Sequence, residues 1–210
     1  MAKRSKEEAL ETRESILDAA VQVFHTRGVS RPSLSDVAEL AGVTRGAVYG
    51  HFKNKADLFD ALCERVRLPT EVVCEGRQMI QEDDPLGELR ITWLVVLYNA
   101  VGDWQPILDI IFHRCEIVED NGRIRERLLA GHAEAAEQIS GLLTRAVAQG
   151  QLSPKLDIPL AAVMAHGTLA GLLSNWLLAP QSFDLAAHME RCVDVVIETL
   201  RHNKALQKPD

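Results

Sequence analysis

The sequence predicts an all-α protein of about nine helices, arranged as an N-terminal three-helix head followed by a larger helical body. Apolar residues recur at three- and four-residue intervals along most of the chain, the spacing of a helix with one buried face. Small polar residues that cap helices stand just before several of these segments, and glycines stand just after others. Alternating β-branched runs, the mark of a half-buried strand, are absent.

Each element follows from these signals in turn. Met1–Glu8, polar and carrying Lys3, Arg4 and Lys6, is expected as a mobile arm. The first helix carries Ile16, Leu17, Ala20, Val23 and Phe24 and stops at Gly28. A short helix runs from Leu34 to about Ala41, with Ser33 as its cap and Asp36 three residues on, as in a capping box. Gly42 ends it, and Thr44 caps another short helix reaching about Gly50. Asn54 caps a longer one through Leu58, Leu62 and Val66, with a kink expected at Pro69. Asp84-Pro85 and Trp104-Gln105-Pro106 open two more, each with a proline in the first turn, where its missing N–H costs nothing. The last three are expected over about 123–149, 157–178 and 184–202.

Composition excludes several classes. With 47% hydrophobic and 25% charged residues, the chain is neither collagen-like nor disordered. Its 4 cysteines, Cys63, Cys74, Cys115 and Cys192, show no CxxC spacing; together with the lack of a signal-like start, this leads to an expected reducing cytoplasm. The net charge of −7 is unevenly placed: residues 1–55 carry 9 Lys/Arg against 7 Asp/Glu, and the remainder 14 against 23. A mildly basic head on an acidic body can hold a polyanion locally while the body is repelled from it. From Ile158 to Phe183 there is no Asp, Glu, Lys or Arg, which is long enough to span a bilayer. Pro159, His166, Ser174 and Asn175 interrupt it and no basic flank anchors it, so a helix buried in a bundle or subunit interface is expected and no membrane.

The informative stretch is 33–55. Leu34, Val37, Ala38 and Ala41 give the first short helix an apolar face, and Val43 and Val48 anchor the second. Ala38 is small enough for a close helix crossing, and Gly42 suits a left-handed turn. This is the pattern of a helix-turn-helix, whose second helix enters the DNA major groove. Ser33, Thr44, Arg45, Gly46, Tyr49, His51 and Lys55 are the expected DNA contacts. Arg45 can reach a guanine edge or a phosphate, the Thr44 and Tyr49 hydroxyls suit phosphate oxygens, and Lys55 adds backbone charge. On spacing alone, an αα-hairpin with a solvated outer face fits as well.

Residues 8–60 closely resemble the DNA-binding head of the tetracycline-repressor (TetR) family of bacterial transcriptional regulators. The resemblance is carried by Thr12-Arg13, Ile16-Leu17, Ala19-Ala20, Phe24 and Gly28, then Leu34, Val37-Ala38 and Ala41-Gly42-Val43, then Gly46, Val48-Tyr49, His51-Phe52, Lys55 and Leu58. Thr44-Arg45-Gly46-Ala47, Asp84-Pro85-Leu86, Phe112-His113-Arg114-Cys115-Glu116 and the Asn175-Trp176-Leu177 to Asp184-Leu185 stretch look like the AcrR-like subgroup that represses multidrug efflux pumps. One departure is Gly50, where many of that subgroup carry tryptophan. The resemblance implies a homodimer on a palindromic double-stranded DNA operator, released by small hydrophobic or aromatic ligands. It implies a DNA-binding domain over 8–55 and a ligand-binding and dimerisation domain over 56–203.

In the body, Gly167 and Gly171 lie one turn apart, which lets another backbone approach closely; an intramolecular core helix fits the same spacing. With Val193 and Ile197 of the last helix, they are the residues expected at the dimer interface by resemblance. The ligand pocket is expected from Trp93, Tyr98, Trp104 and Phe112, together with His113, His132, Met164 and Trp176; Arg67 and Glu71 could add charge. No catalytic residues, metal site or cofactor are expected: His113 and Cys115, two residues apart, do not share a helix face, no base can be argued within reach of the thiol, and no phosphate loop or paired Cys/His spacing occurs.

Overall fold

A computed structural model of the chain describes residues 2–66, 84–115 and 122–209. Arg67, Pro69, Glu71, Cys74 and Glu116 lie outside the described residues, and with them the expected kink. The described residues form nine α-helices and no strand. They are α1 (Ala2–Arg27), α2 (Leu34–Ala41), α3 (Arg45–His51), α4 (Lys55–Arg65), α5 (Pro85–Ala100), α6 (Gln105–Asp109), α7 (Gly122–Ala148), α8 (Ile158–Leu178) and α9 (Leu185–His202). A single π-helical turn, Ile110–Arg114, extends α6, and two short 3-10 turns follow α8 and α9.

The chain divides into two compact units, Met1–Arg67 with Trp104–Leu128, and Leu68–Asp103 with Leu129–Asp210. In the first, Ile16, Leu17, Phe24, Val37, Val48, Leu58, Phe59 and Leu62 form one buried cluster. Removing side chains of this size from water contributes about 1.5–3 kcal/mol each. Two features differ from expectation. The arm expected at Met1–Glu8 is helical from Ala2, because Ala, Lys, Glu and Leu are strong helix formers and no Gly or Pro interrupts them before Gly28. Residues 104–128, assigned by sequence to the body, contribute Ile107, Ile110 and Ile124 to this same cluster. The first turns of α4, also assigned to the body, contribute Leu58, Phe59 and Leu62.

The turn between α2 and α3 follows the expected chemistry. Ser33 and Asp36 form a capping box at the start of α2. Gly42 closes the helix in the left-handed region at φ 67°, donating its N–H toward the last carbonyls, while Val43 N–H reaches Ala38 O at 3.1 Å. An L-residue there would be strained by its Cβ. Thr44 then caps α3, its hydroxyl accepting from Ala47 N–H at 3.1 Å.

In the second unit, α5 packs against α9 and α9 against α8. Arg90 joins α5 to α9 through Asp194, Nε to Oδ1 at 2.6 Å, and that hydrogen bond holds the Asp194 carboxyl below its ordinary range. Buried Glu88 is matched by Arg145 of α7 at 3.0 Å. Val193 and Ile197, expected at a dimer seam, are corrected here: they are 0% and 4% exposed within the single chain and have no surface left for a partner. They fall on the inward side of α9 with Val196 and Leu200; the large apolar residue of α9 that faces out is Val195. Helix α8 behaves differently. Its buried side is Ala161, Ala162, Ala165, Leu169, Leu173, Trp176 and Leu177, but Leu160, Val163, Met164, Gly167 and Leu178 are exposed. A Cβ placed on Gly167 or Gly171 meets no atom within 4 Å. Among the described residues, the close approach these glycines permit is therefore not used. By length and composition α8 is apolar enough to cross a membrane.

Candidate nucleic-acid interface

Helix α3 has one buried side chain, Val48, which pins it to the core of the first unit. Thr44, Arg45, Gly46, Tyr49 and Gly50 are exposed, and His51 is half-buried. The Arg45 guanidinium lies 5.3 Å from the centroid of the Tyr49 ring, and its Nη2 is 3.4 Å from the Tyr49 hydroxyl. Stacking on the ring limits the rotamers of a long cation while leaving most of its five donors outward. Thr44 uses its oxygen as an acceptor on the cap, so its O–H hydrogen stays able to donate. Gly46 and Gly50 add no side chain: a Cβ at Gly50 would meet nothing, and one at Gly46 only Thr44 Oγ1 at 3.8 Å. Space around α3 is thus open to a bulky polyanion. The C-terminal end of α3 is stiffened from below, where buried Phe52 carries His51 on one side and the Arg13 guanidinium at 5.4 Å on another.

Two of the expected DNA contacts have other work. Ser33 Oγ donates to Asp36 Oδ2 at 2.6 Å and its N–H donates to the same oxygen at 2.8 Å. Those bonds hold the Asp36 carboxyl below its ordinary range; Ser33 shapes the start of α2. Lys55 is half-buried, with Nζ donating to Ser30 O at 2.6 Å and Pro32 O at 3.3 Å. Its charge ties down the loop between α1 and α2. Exposed Lys53 was not among the expected contacts, although its charge beside His51 was visible in the sequence.

Behind this face, a buried carboxylate organises the end of α1. Asp109, 8% exposed, receives His113 Nδ1 at 2.8 Å, Arg114 Nε at 3.1 Å and His25 Nε2 at 3.2 Å. Burial pushes its pKa up, but the hydrogen bonds from His113 and Arg114 and the charges of Arg114 and His25 outweigh that and hold the carboxyl below its ordinary value. Arg114 O also accepts from Val29 N–H at 3.1 Å, just past Gly28, which ends α1 at φ 76°. His113 is thereby a partner of Asp109.

The eight expected pocket residues are divided between the units. Trp104, Phe112 and His113 belong to the first; Trp93, Tyr98, His132, Met164 and Trp176 belong to the second. Trp93 and Trp176 are buried, whereas Tyr98 is 70% exposed and Met164 lies on the open side of α8. His132 stacks on His166, a residue outside the expected set, with ring centroids 4.8 Å apart. Thiol chemistry is disfavoured at Cys63 and Cys115: burial pushes Cys63 up to about 12 and raises Cys115 as well, and a protonated thiol is a poor nucleophile.

A capped short helix set across another through a left-handed glycine, with cationic and hydroxyl groups outward over one apolar core, defines a helix-turn-helix protein of the DNA-reading class. Residues 16–62 match the family described as bacterial regulatory proteins, tetR family, and residues 84–202 match the MAATS-type transcriptional repressor C-terminal region. The chain is 40% identical to the HTH-type transcriptional regulator TtgR of Pseudomonas putida, over 99% of this chain and 100% of that one. It is similar in structure to NalD, the secondary repressor of the MexAB-OprM multidrug efflux pump in Pseudomonas aeruginosa, with a TM-score of 0.82 and 34% identity over 94% of this chain and 99% of NalD. It is likewise similar to SmeT in its triclosan complex, with a TM-score of 0.79 and 31% identity over 95% and 99% of the two chains; SmeT represses the Stenotrophomonas maltophilia pump SmeDEF. The chain belongs to the TetR family of transcriptional repressors, and it is a DNA-binding regulator, not an enzyme.

Two outcomes follow from this geometry. Lys55→Ala removes the donor from two loop carbonyls, so it should lower unfolding stability by about 1–3 kcal/mol, read by urea titration. The salt slope of DNA binding should stay that of the wild type; a flattened slope with unchanged stability would return Lys55 to the phosphates. Asp109→Asn should also destabilise at neutral pH. Because the folded carboxyl sits below its ordinary value, its contribution is complete above that ordinary value and is lost as pH falls through the folded pKa. Urea unfolding across acid pH should show wild type and variant converging there; a constant gap would mean that the carboxylate charge is not what stabilises.

Proposed function

We propose that this protein represses a multidrug efflux pump operon in the cytoplasm, as a homodimer on a palindromic operator, and is released by small apolar aromatic compounds. The outward face of α3 carries the reading, with Arg45 braced on Tyr49 and open glycines on either side. Arg45, Tyr49, Thr44 and His51 contact the operator, Arg45 being the base reader. Full-length similarity to TtgR, and structural similarity to repressors of MexAB-OprM and SmeDEF, support the choice of regulated gene. The SmeT–triclosan complex supports the class of ligand. Trp93 and Trp176 are the pocket walls in the second unit, and the side of α8 that carries exposed Leu160, Val163 and Gly167 with half-buried Gly171 is the dimer seam.

The seam has a direct test. A Cβ at Gly171 meets no atom within 4 Å in the chain itself, so Gly171→Leu should leave circular dichroism unchanged while light scattering shows monomer. Overpacking costs about 1–3 kcal/mol per site and a symmetric dimer suffers it twice. An intact dimer would place the seam elsewhere.

Ligand release is tested by intrinsic tryptophan fluorescence, titrating planar dyes and antibiotics with and without a duplex that the protein has selected from a randomised library. Coupling of about 1–3 kcal/mol would weaken ligand binding 5–150-fold when DNA is bound, and DNA binding by the same factor when ligand is bound. Equal ligand affinity in both conditions would remove those compounds as inducers. Binding by no apolar compound would favour a repressor answering to a single metabolite.

A further inference from the structure

We propose that the second unit carries an acid-sensitive latch, the His132–His166 contact between α7 and α8, which opens when both rings are charged and lowers operator affinity through α7.

Most of the described histidines have a partner that takes a hydrogen bond from the ring. His25 and His113 face the Asp109 carboxylate, His202 faces that of Glu198, and His188 meets the Asp184 carbonyl. A carboxylate so close favours the charged ring. His132 and His166 instead face each other, with ring centroids 4.8 Å apart and planes tilted by 59°. Among the described residues, neither has a hydrogen bond or an ion pair. Two imidazoles in contact can carry one positive charge between them, but a second proton sets like charges against each other. Burial and the neighbouring His132 already hold His166 below its ordinary value.

The charges on the surrounding elements leave this pair to itself. Helix α8 carries no Asp, Glu, Lys or Arg. On α7, Glu134 and Glu137 leave the helix about 200° and 140° round from His132, and Arg125 belongs to the first unit. On α5 and α9, Arg90 closes on Glu190 and Asp194, and Glu88 of α5 closes on Arg145. Among the described residues, His132 is the one group whose charge bears on His166.

Packing makes α7 the side that gives. From Arg125 to Gln138 none of its side chains is buried, although Ile124 before them and Ile139 after them are. Gly131 stands next to His132 in this stretch, and a glycine inside a helix loosens it relative to alanine. His166, by contrast, sits among Ala162, Ala165 and Leu169 of the buried side of α8. Loosely packed stretches are where local opening costs least. Ile124 of the same helix lies in the core of the first unit, so a shift in the middle of α7 reaches the base of the DNA-reading unit along one continuous helix. Because His166 sits below its ordinary value when folded, the unfolded chain takes up the proton first. The latch therefore costs nothing above the ordinary histidine range. Stability falls as pH drops from there to the folded value of His166, and below both the loss is complete and constant.

The proposal rests on operator binding by α3, and the experiment keeps the two apart. Wild type, His132→Gln and His166→Gln, each with labelled histidines, are titrated by NMR from about pH 8 to about pH 5, the range in which imidazoles charge. His166 should take up its proton at higher pH in His132→Gln than in wild type. In urea titrations both variants should gain stability relative to wild type as pH falls. Operator affinity, on a duplex that the wild type has selected from a randomised library, should match at about pH 8 and be about 3–10-fold weaker in wild type than in either variant at about pH 5. His132 is exposed, so His132→Gln should keep the wild-type melting temperature at about pH 8. An unchanged His166 titration in His132→Gln overturns the proposal, and so do operator affinities that stay in step down to about pH 5. Loss of sequence-specific binding by the wild type at about pH 8 would instead overturn the reading of α3, while the NMR and urea titrations still decide the latch.

Discussion

Asp109 is the carboxylate on which the first unit turns. It is buried, and its oxygens are shared among His113, Arg114 and His25. A buried charge left without such partners would cost several kcal/mol, so α1 and the turn after α6 are held in one relative placement. The π-helical turn fits this role. An extra residue in the turn lets both His113 and Arg114 reach the same side chain, where a regular helix would put residues four and five apart at different angles. With Ile107, Ile110 and Ile124 filling the core beneath α1 and α4, residues 104–128 are a structural part of the DNA-reading unit. The same helix α7 then continues into the second unit. Chain connectivity thus links the base of the DNA-reading unit to the helices of the body.

Polar side chains in the head divide between those that build it and those that stay available. Ser33, Thr44 and Asn54 cap three successive helices, and Lys55 closes a loop by donating to its carbonyls. Such groups set the angle and offset of α3. Arg45, Tyr49 and the hydrogen of Thr44 stay on the surface. The division follows from hydrogen-bond demand: a short helix has as many unsatisfied end groups as a long one, so nearby polar side chains are drawn to its ends. Net charge is the weaker guide in this protein. The chain is acidic overall, and the sign that matters for a polyanion is local to α3.

The body shows the complementary arrangement. Arg90 with Asp194 and Glu88 with Arg145 join its helices where charge could be paired, leaving α8 free of charge along its whole length. An apolar helix with only one side buried exposes a hydrocarbon surface that water disfavours. The two glycines on its open side make that surface flat enough for a second helix backbone. This is the surface on which the proposed dimer seam rests.

Much of this protein was determined by the sequence alone, because the controlling interactions are local. The nine helices, the capping residues Ser33, Thr44, Asn54, Asp84, Asp157 and Asp184, and the glycine stops at Gly28, Gly42 and Gly150 all arise between residues a few positions apart. The resemblance over 8–60 named the family from the same short-range pattern. Only the tertiary structure decided where each helix turned its faces. Val193 and Ile197 are as apolar as Val163 and Val195, and spacing cannot tell which pair meets its own chain. Lys55 could not be assigned to a loop carbonyl until Ser30 and Pro32 were placed beside it. Residues 104–128 joined the head because Asp109 met His25, 84 positions earlier in the chain. Burial and partner choice depend on contacts between distant segments, and those are set when the helices pack.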